Sequence, residues 1–300
     1  MEIKNFALIQ GQEAKIEKGH IKISAPKKVR KADKETLEER QPFEVRSDFM
    51  FSNGIIEFKF KTNSYSTGIL FLFNTSNEQL LVIGISKSMD GFVIGEGLSK
   101  FTPLSKAGSL QNYDLNQEHL CKIEIRGSYA KFYIDNVLLC ESKVSIKESI
   151  ISIRFNSLGE LEIYDIKALS IKPKIFVVMQ FTKEYNELFE DVIKPITEQA
   201  GFECIRADEF YTSTPIIKDI IESIQDSTAI IAEITPDNPN VFYEIGYSHA
   251  INKPTILLCD RKREKLPFDI SSFRTLFYEN TIAGKNKVEE SLKKYLQNIK

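Results

Sequence analysis

From about residue 43 to 171, apolar and polar positions alternate along the chain. In NGIIEFKFKTN, Ile56, Phe58 and Phe60 fall on one face and Glu57, Lys59 and Lys61 on the other, which predicts a half-buried antiparallel strand. CKIEIRGSYAKFYIDNVLL repeats the pattern across two short reversals, Gly127-Ser128 and Asp135-Asn136. GILFLFN, QLLVIGIS, GFVIGEG, IISIRFN and ELEIYDIKAL read as further strands. Antiparallel strands in such number, with no helical period between them, must bury two sheets against each other, so a jelly roll or sandwich is expected.

At Lys172-Pro173-Lys174 the pattern changes. IFVVM is a short continuous apolar run, and in the following KEYNELFEDVIKPITEQA the residues Tyr185, Leu188, Phe189, Val192, Ile193 and Ile196 recur at helical spacing, with a bend expected at Pro195. FECIR follows, then STPIIKDIIESIQDS, with Ser213 or Thr214 as N-cap, Pro215 in the first turn, and Ile216, Ile217, Ile220, Ile221 and Ile224 facing inward. AIIAEI, a helix from about Asn240 to Asn252 capped by Asn240, TILLC, TLFYEN and a final helix complete the series. Fully apolar strands alternating with helices predict a parallel sheet covered on both faces. The expected fold is therefore an α+β two-domain chain: an N-terminal antiparallel β-sandwich over residues 1–172, and a C-terminal doubly wound, flavodoxin-like α/β sheet over residues 174–300.

Composition narrows the function classes. The 300 residues are 42% hydrophobic and 27% charged, which excludes a disordered or collagenous chain. With 40 Lys and Arg against 42 Asp and Glu, the net charge of −2 provides no global field toward nucleic acid or anionic membrane, and neither is an expected partner. The N-terminal stretch lacks a signal-peptide pattern and no run approaches the roughly 20 apolar residues of a membrane span, so a cytoplasmic location is expected. Cys121, Cys140, Cys204 and Cys259 stand singly, and His20, His119 and His249 lie far apart, so no metal site is expected and the thiols read as buried small hydrophobes. The mixed-charge segment from Ala25 to Arg46 reads as a solvated loop or short helix.

In an open parallel sheet, ligands bind beyond the carboxyl ends of the strands, and here those loops are polar. Met179, Gln180 and Phe181 follow the first strand, Asp208 and Glu209 the second, and Glu233 and Asp237 the third. Glu244 lies one turn into the next helix, spaced to share a face with Asn240 and Ser248. A carboxylate there can stabilise an electrophilic sugar carbon, or serve only as a solvated first-turn glutamate favoured by the helix dipole. Tyr243, Tyr247, Phe181 and Phe210 are candidates to line a slot for a base, and Arg206 and Arg274 to fork onto a pyrophosphate. There is no GxGxxG and no GxxxxGKS/T motif, so redox and ATPase readings lack support.

The stretches FVVMQF, AGFECIRADE, AIIAEITPDNPNVFYEIGYSHAINKPTILL and LPFDISSFRTLFY resemble the nucleoside 2-deoxyribosyltransferase family and its TIR-like relatives over about residues 174–280. The resemblance implies cleavage of an N-glycosidic bond, with Glu244 as nucleophile or oxocarbenium stabiliser and Met179 to Phe181, Glu233 and Asp237 as site residues. It also implies NAD or a related nucleotide as substrate, with no cofactor, in a homo-oligomer whose pocket a neighbouring subunit completes. Gln180 departs from the small or proline-bearing turn usual in that family. The loop LPFDISSFR carries Phe268 and Phe273 as exposed apolar candidates for such a contact.

SDFMFSNGIIEFKFKTNSYSTGILFLFN and KFYIDNVLL resemble the concanavalin A-like, laminin-G-like jelly rolls over about residues 45–170. That resemblance implies a sensor or assembly module binding a carbohydrate, a small molecule or a protein. Glu160 and Glu162 faintly echo a jelly-roll glucanase pattern, but Tyr164 stands where its second catalytic glutamate belongs, and the chain has no Trp to stack on sugar. The expectation is an antiviral N-glycosidase effector gated by its sandwich; the alternatives are a salvage deoxyribosyltransferase or nucleotide N-glycosidase, or a non-enzymatic signalling scaffold.

Overall fold

The computed structural model describes residues 1–11, 14–31, 34–37, 41–75, 78–144, 146–209 and 215–299, with backbone alone at 28–31, 34–37, 209 and 282. The chain forms two compact units, one of Met1–Ile125 and Tyr129–Ile171, the other of Arg126–Ser128 and Lys172–Lys300.

The first unit is built on two seven-stranded sheets. One runs, in spatial order, Phe6–Gln10, Phe43–Phe51, Ser149–Ser157, Thr67–Asn74, Leu80–Ser86, Gly91–Glu96 and Thr102–Ala107. The other runs Val137–Lys143, Tyr129–Ile134, His119–Arg126, Gly54–Thr62, Leu161–Ser170, His20–Ile23 and Lys15–Glu17. Alternation decides which side faces in: Ile56, Phe58 and Phe60 are fully buried while Lys61 is exposed. The antiparallel ladder sets Ile56 beside Ile123 and Phe58 beside Cys121, and across the sandwich the Phe58 and Phe71 rings meet at 4.7 Å. Each such buried phenylalanine contributes about 1.5–3 kcal/mol of hydrophobic stabilisation. The reversal at Asp135-Asn136 has both residues left-handed, φ 50° and 67°, as a two-residue turn between twisted strands requires. The segment from Ala25 to Arg46 departs from expectation: its backbone forms a hairpin of Lys28–Lys31 and Lys34–Leu37, and the long strand beginning at Phe43 takes its end.

In the second unit the strands Lys174–Val178, Glu203–Arg206, Ala229–Glu233, Thr255–Asp260 and Thr275–Tyr278, first to fifth in the chain, lie in the order second, first, third, fourth, fifth. All four pairings are parallel. Alternate residues of the first strand serve opposite cores. Ile175 and Val177 pack with Phe189, Val192 and Ile196 and with Val288, Leu292 and Leu296 of the last helix, Ile282–Ile299. Phe176 and Val178 pack with Ile220 and Ile224 of helix Ile216–Asp226 and with Val241 and Ile245 of helix Pro239–Ala250. Helices thus cover both faces, and the strands are apolar on both sides for that reason.

Three local expectations are corrected. Around Pro195 the helix is not simply bent: a π-helical turn, Phe189–Ile193, separates Lys183–Leu188 from Lys194–Gln199 and gives room to a ring that lacks an N–H to donate. Ile216 and Ile217 do not face inward; they are 71% and 47% exposed. Pro215 occupies the N-cap position of its helix, and the expected caps Ser213 and Thr214 lie outside the described residues, as does Phe210.

Candidate functional site

A cleft of about 570 Å³ opens at the carboxyl ends of the first and second strands. The connections leaving the first and third strands diverge there to opposite faces, which leaves a crevice at the switch in strand order. Met179, Gln180 and Phe181 form one wall, and Ala207 and Asp208 follow the second strand into it. Ile216, Ile217 and Ile220 line it from one helix, and Asn238, Asn240, Val241, Tyr243 and Glu244 from another.

The helix Pro239–Ala250 positions Glu244. Its N-cap is Asn238, not Asn240: the Asn238 carboxamide oxygen accepts from the Asn240 backbone N–H at 3.0 Å, and Pro239 takes the first helical position, where a missing N–H costs nothing. Glu244 follows in the second turn, with Asn240 four residues before it on the same wall of the cleft. Among the described residues none donates a hydrogen bond to the Glu244 carboxylate, and burial pushes its pKa up to about 7. Ser248 turns the other way: it is fully buried and its hydroxyl donates to the Glu244 carbonyl oxygen at 2.8 Å.

Asp208 is held differently. Arg206 Nε donates to its Oδ1 and Arg206 Nη2 to its Oδ2, both at 2.7 Å. The guanidinium is 5% exposed, donates through Nη1 to Asn186 Oδ1 at 3.1 Å, and lies 4.0 Å over the Phe189 ring. Arg206 is therefore committed to a carboxylate of its own chain and does not present the open fork expected for a pyrophosphate.

Four other expected site residues stand apart from the cleft lining. Glu233 is fully buried; its carboxylate accepts from the Thr235 backbone N–H and hydroxyl and from the Tyr278 hydroxyl at 3.1 Å. Burial outweighs those bonds and pushes its pKa up to about 7. Asp237 is exposed and pairs with Arg263 at 2.5 Å, the same guanidinium that ties down the Ile234 and Thr235 carbonyls. Tyr247 packs against the core of its own face and its hydroxyl accepts from Gln225 Nε2 at 2.6 Å. Arg274 is exposed, beyond the short helical turn Phe268–Ile270.

Ile216, Ile217 and Asn238 were not anticipated as cleft residues. The pair Asn238-Pro239, an N-cap type followed by a proline suited to the first turn, was the available signal for the last. Among the described residues, no group of three His, Cys, Asp or Glu side chains is arranged to hold a metal ion. No described helix is long and apolar enough to cross a membrane.

No protein-family model matches the sequence, and no curated protein is similar to it. Solved structures give distant likenesses. A carbohydrate-binding module CBM66 from Bacillus subtilis is 13% identical with a TM-score of 0.40, covering 56% of this chain and 97% of that one. A Bacillus subtilis protein of unknown function with a galectin-like fold is 12% identical at a TM-score of 0.40, over 56% of this chain and 92% of that one. A Bacillus licheniformis β-glucanase is 11% identical at 0.37, over 57% and 97%. At these values the likeness carries no functional argument; the sandwich rests on its own strand pairings and core.

Proposed function

We propose that the second unit is a flavodoxin-like, TIR-like N-glycosidase that cleaves the bond between nicotinamide and ribose in NAD or a related nucleotide. The observation that carries the reading is Glu244, a partly buried carboxylate at the sheet's switch point with no described hydrogen-bond donor. As the C1′–N bond breaks, its electron pair leaves with nicotinamide and positive charge builds on the ribose. The Glu244 anion stabilises that charge, and water then adds to C1′ and releases a proton. The sign of the cleft supports this choice. Its described lining holds no Lys, Arg or His, and with the Asp208 charge balanced by Arg206 behind it, Glu244 supplies the negative charge that suits the cationic pyridinium end of NAD.

On this reading the sandwich is a sensor or assembly module that gates a hydrolase toxic to its own cell, as in an antiviral effector. Its ligand is a carbohydrate, a small molecule or a protein. Phe268, 90% exposed, and Phe273, 43% exposed, support packing between copies of the chain in a homo-oligomer. Specific activity should then rise as the protein assembles; a flat profile through the monomer-to-oligomer range removes the gating. The chemistry is tested by Glu244→Gln, which keeps size and removes charge. Turnover of NAD, NADP or deoxynucleosides, whichever is cleaved, should fall on the order of 10²–10³-fold while the fold is retained. Near-native turnover by the variant sinks the assignment.

A further inference from the structure

We infer that Arg263, which lies outside the cleft, is a positioning residue: it holds the start of the Glu244 helix and thereby keeps that carboxylate in the cleft. The inference rests on the N-glycosidase reading for what Glu244 does, and on the loop before its helix for how that residue is held. Strand pairing ends at Glu233, and the helix is not capped until Asn238. The residues between, Ile234 to Asp237, carry the helix, and Arg263 bonds to three of them. Its Nη1 donates to the Ile234 carbonyl at 2.7 Å and the Thr235 carbonyl at 2.8 Å, and its Nη2 to Asp237 Oδ1 at 2.5 Å. Nε donates to the Lys265 carbonyl at 2.9 Å, in the loop after the fourth strand. The guanidinium also lies 5.9 Å from the ring of Phe242, on the helix itself. The side chain is 9% exposed, so a charge has been taken out of water for these bonds.

Thr235 is fixed from two further directions. Its hydroxyl donates to Glu233 and accepts from the Asp260 N–H at 2.8 Å. Pro236 and Pro239 restrict φ on either side of Asn238. A connection this constrained carries the position of the strand end into the first turn of the helix. Glu244 depends on it. Its carboxylate is partly buried with no described donor, so desolvation favours any movement that returns it to water. Val241 and Ile245 hold the helix from the core side, and Arg263 holds the more exposed segment that leads into it.

Arg263 is not among the residues that line the cleft, so its influence there runs through backbone placement. A lysine is no replacement: an ammonium is a point charge and cannot span these acceptors as a planar fork does.

The test reads Glu244 directly, with no substrate present, by carbon-13 NMR of the full chain labelled at its glutamate carboxyls. The Glu244 line is the one missing from Glu244→Gln. In the wild type it should titrate with a midpoint near pH 7. Arg263→Met should move that midpoint down by at least about one pH unit, toward the ordinary glutamate value, as the helix start loosens and water reaches the carboxylate. Arg263→Lys, which decides the matter alone should the methionine variant not fold, should move it in the same direction. Asp237→Ala should leave it within about 0.3 of the wild-type value, because Asp237 is exposed and the two carbonyl bonds remain. A wild-type midpoint in the ordinary glutamate range, no downward move in the Arg263 variants, or an equal drop with Asp237→Ala overturns the inference. The N-glycosidase reading fails separately: a protein that never cleaves NAD yet shows this dependence keeps the clamp and loses the chemistry.

Discussion

The two units treat charge in opposite ways. On the sandwich, apart from His119, which is buried with its ring bonded to Asp135 at 2.7 Å, ionic groups stay in water and pair with one another: Lys22 with Glu162 at 2.5 Å, and Lys59 with Glu118 at 2.8 Å and Asp165 at 3.4 Å. Its interior is apolar and aromatic apart from a few hydrogen-bonded side chains such as Thr62 and Thr67. In the α/β unit, ionisable groups are drawn inside. Glu233 and Arg206 are buried and bonded within the chain, and Lys253 is buried with Nζ donating to the carbonyls of Gln225 at 2.8 Å and of Ser227. Burial lowers the Lys253 pKa to about 7. Desolvating such groups opposes folding, so each must be offset by bonds or kept for another purpose. Glu233, Arg206 and Lys253 are offset by bonds within the chain. Glu244 has no described donor, and on the proposed reading that cost is kept for chemistry.

The contrast is sharpened most by removing one partner from an ion pair in each unit. Arg206→Leu leaves Asn186 without its donor and Asp208 facing the cleft unpaired, and should lower stability by about 1–3 kcal/mol in denaturant unfolding. A loss no larger than that from a surface pair would break the comparison.

The next largest effect is on catalysis. If the cleft is the N-glycosidase proposed, Glu244 must be ionised to stabilise a cationic sugar, and with its pKa raised to about 7 kcat/KM should fall about tenfold per pH unit as the pH drops below about 7. The limb belongs to the unliganded protein; a cationic substrate favours the anion, so the same limb in kcat should lie at lower pH. A profile flat from about pH 5.5 to 8.5 contradicts that ionisation.

How much of this was legible in the sequence follows from where side chains are forced to choose a face. The strand containing Ile56, Phe58 and Phe60 was readable because one side is core and the other water. Thr102–Ala107 was not, because none of its residues is buried and no alternation is imposed on it. In the α/β unit, the polar loops at strand ends pointed to Met179, Asp208, Asn240 and Glu244, since a parallel sheet leaves ligands little else to touch. Helical periodicity misplaced Ile216 and Ile217, because it reports which residues share a face and not where the packing on that face stops. Glu233 and Tyr247 were misplaced for a related reason: whether a polar group at a strand or helix end turns to the cleft or into the core depends on partners distant in sequence. Tyr278 is 45 residues from Glu233, and Gln225 is 22 from Tyr247.

A smaller effect concerns stability at the cleft. The Glu244 pKa is higher folded than unfolded, so its protonated form favours the fold; that contribution is full below about pH 4 and is lost as the pH rises to about 7. Glu244→Gln, which cannot ionise, should therefore raise the unfolding midpoint by a few degrees at pH 8 and leave it unchanged at pH 4. A variant less stable than the parent at pH 8 would mean that the carboxylate has a protein partner after all. Smallest of all, Lys22→Ala on the sandwich should leave the midpoint within measurement error, since its pair with Glu162 is open to solvent. A clear drop would make the sandwich's surface ionic network structural and erase the contrast with the α/β unit.

The central claim is that Glu244 makes the cleft an N-glycosidase, and chromatography of products from NAD tests it most directly. Wild-type protein, at concentrations spanning its assembly, should release nicotinamide and ADP-ribose in equal amounts, and Glu244→Gln should release both on the order of 10²–10³-fold more slowly. NAD left intact by the wild type across that range, or equal release by both proteins, would contradict the account.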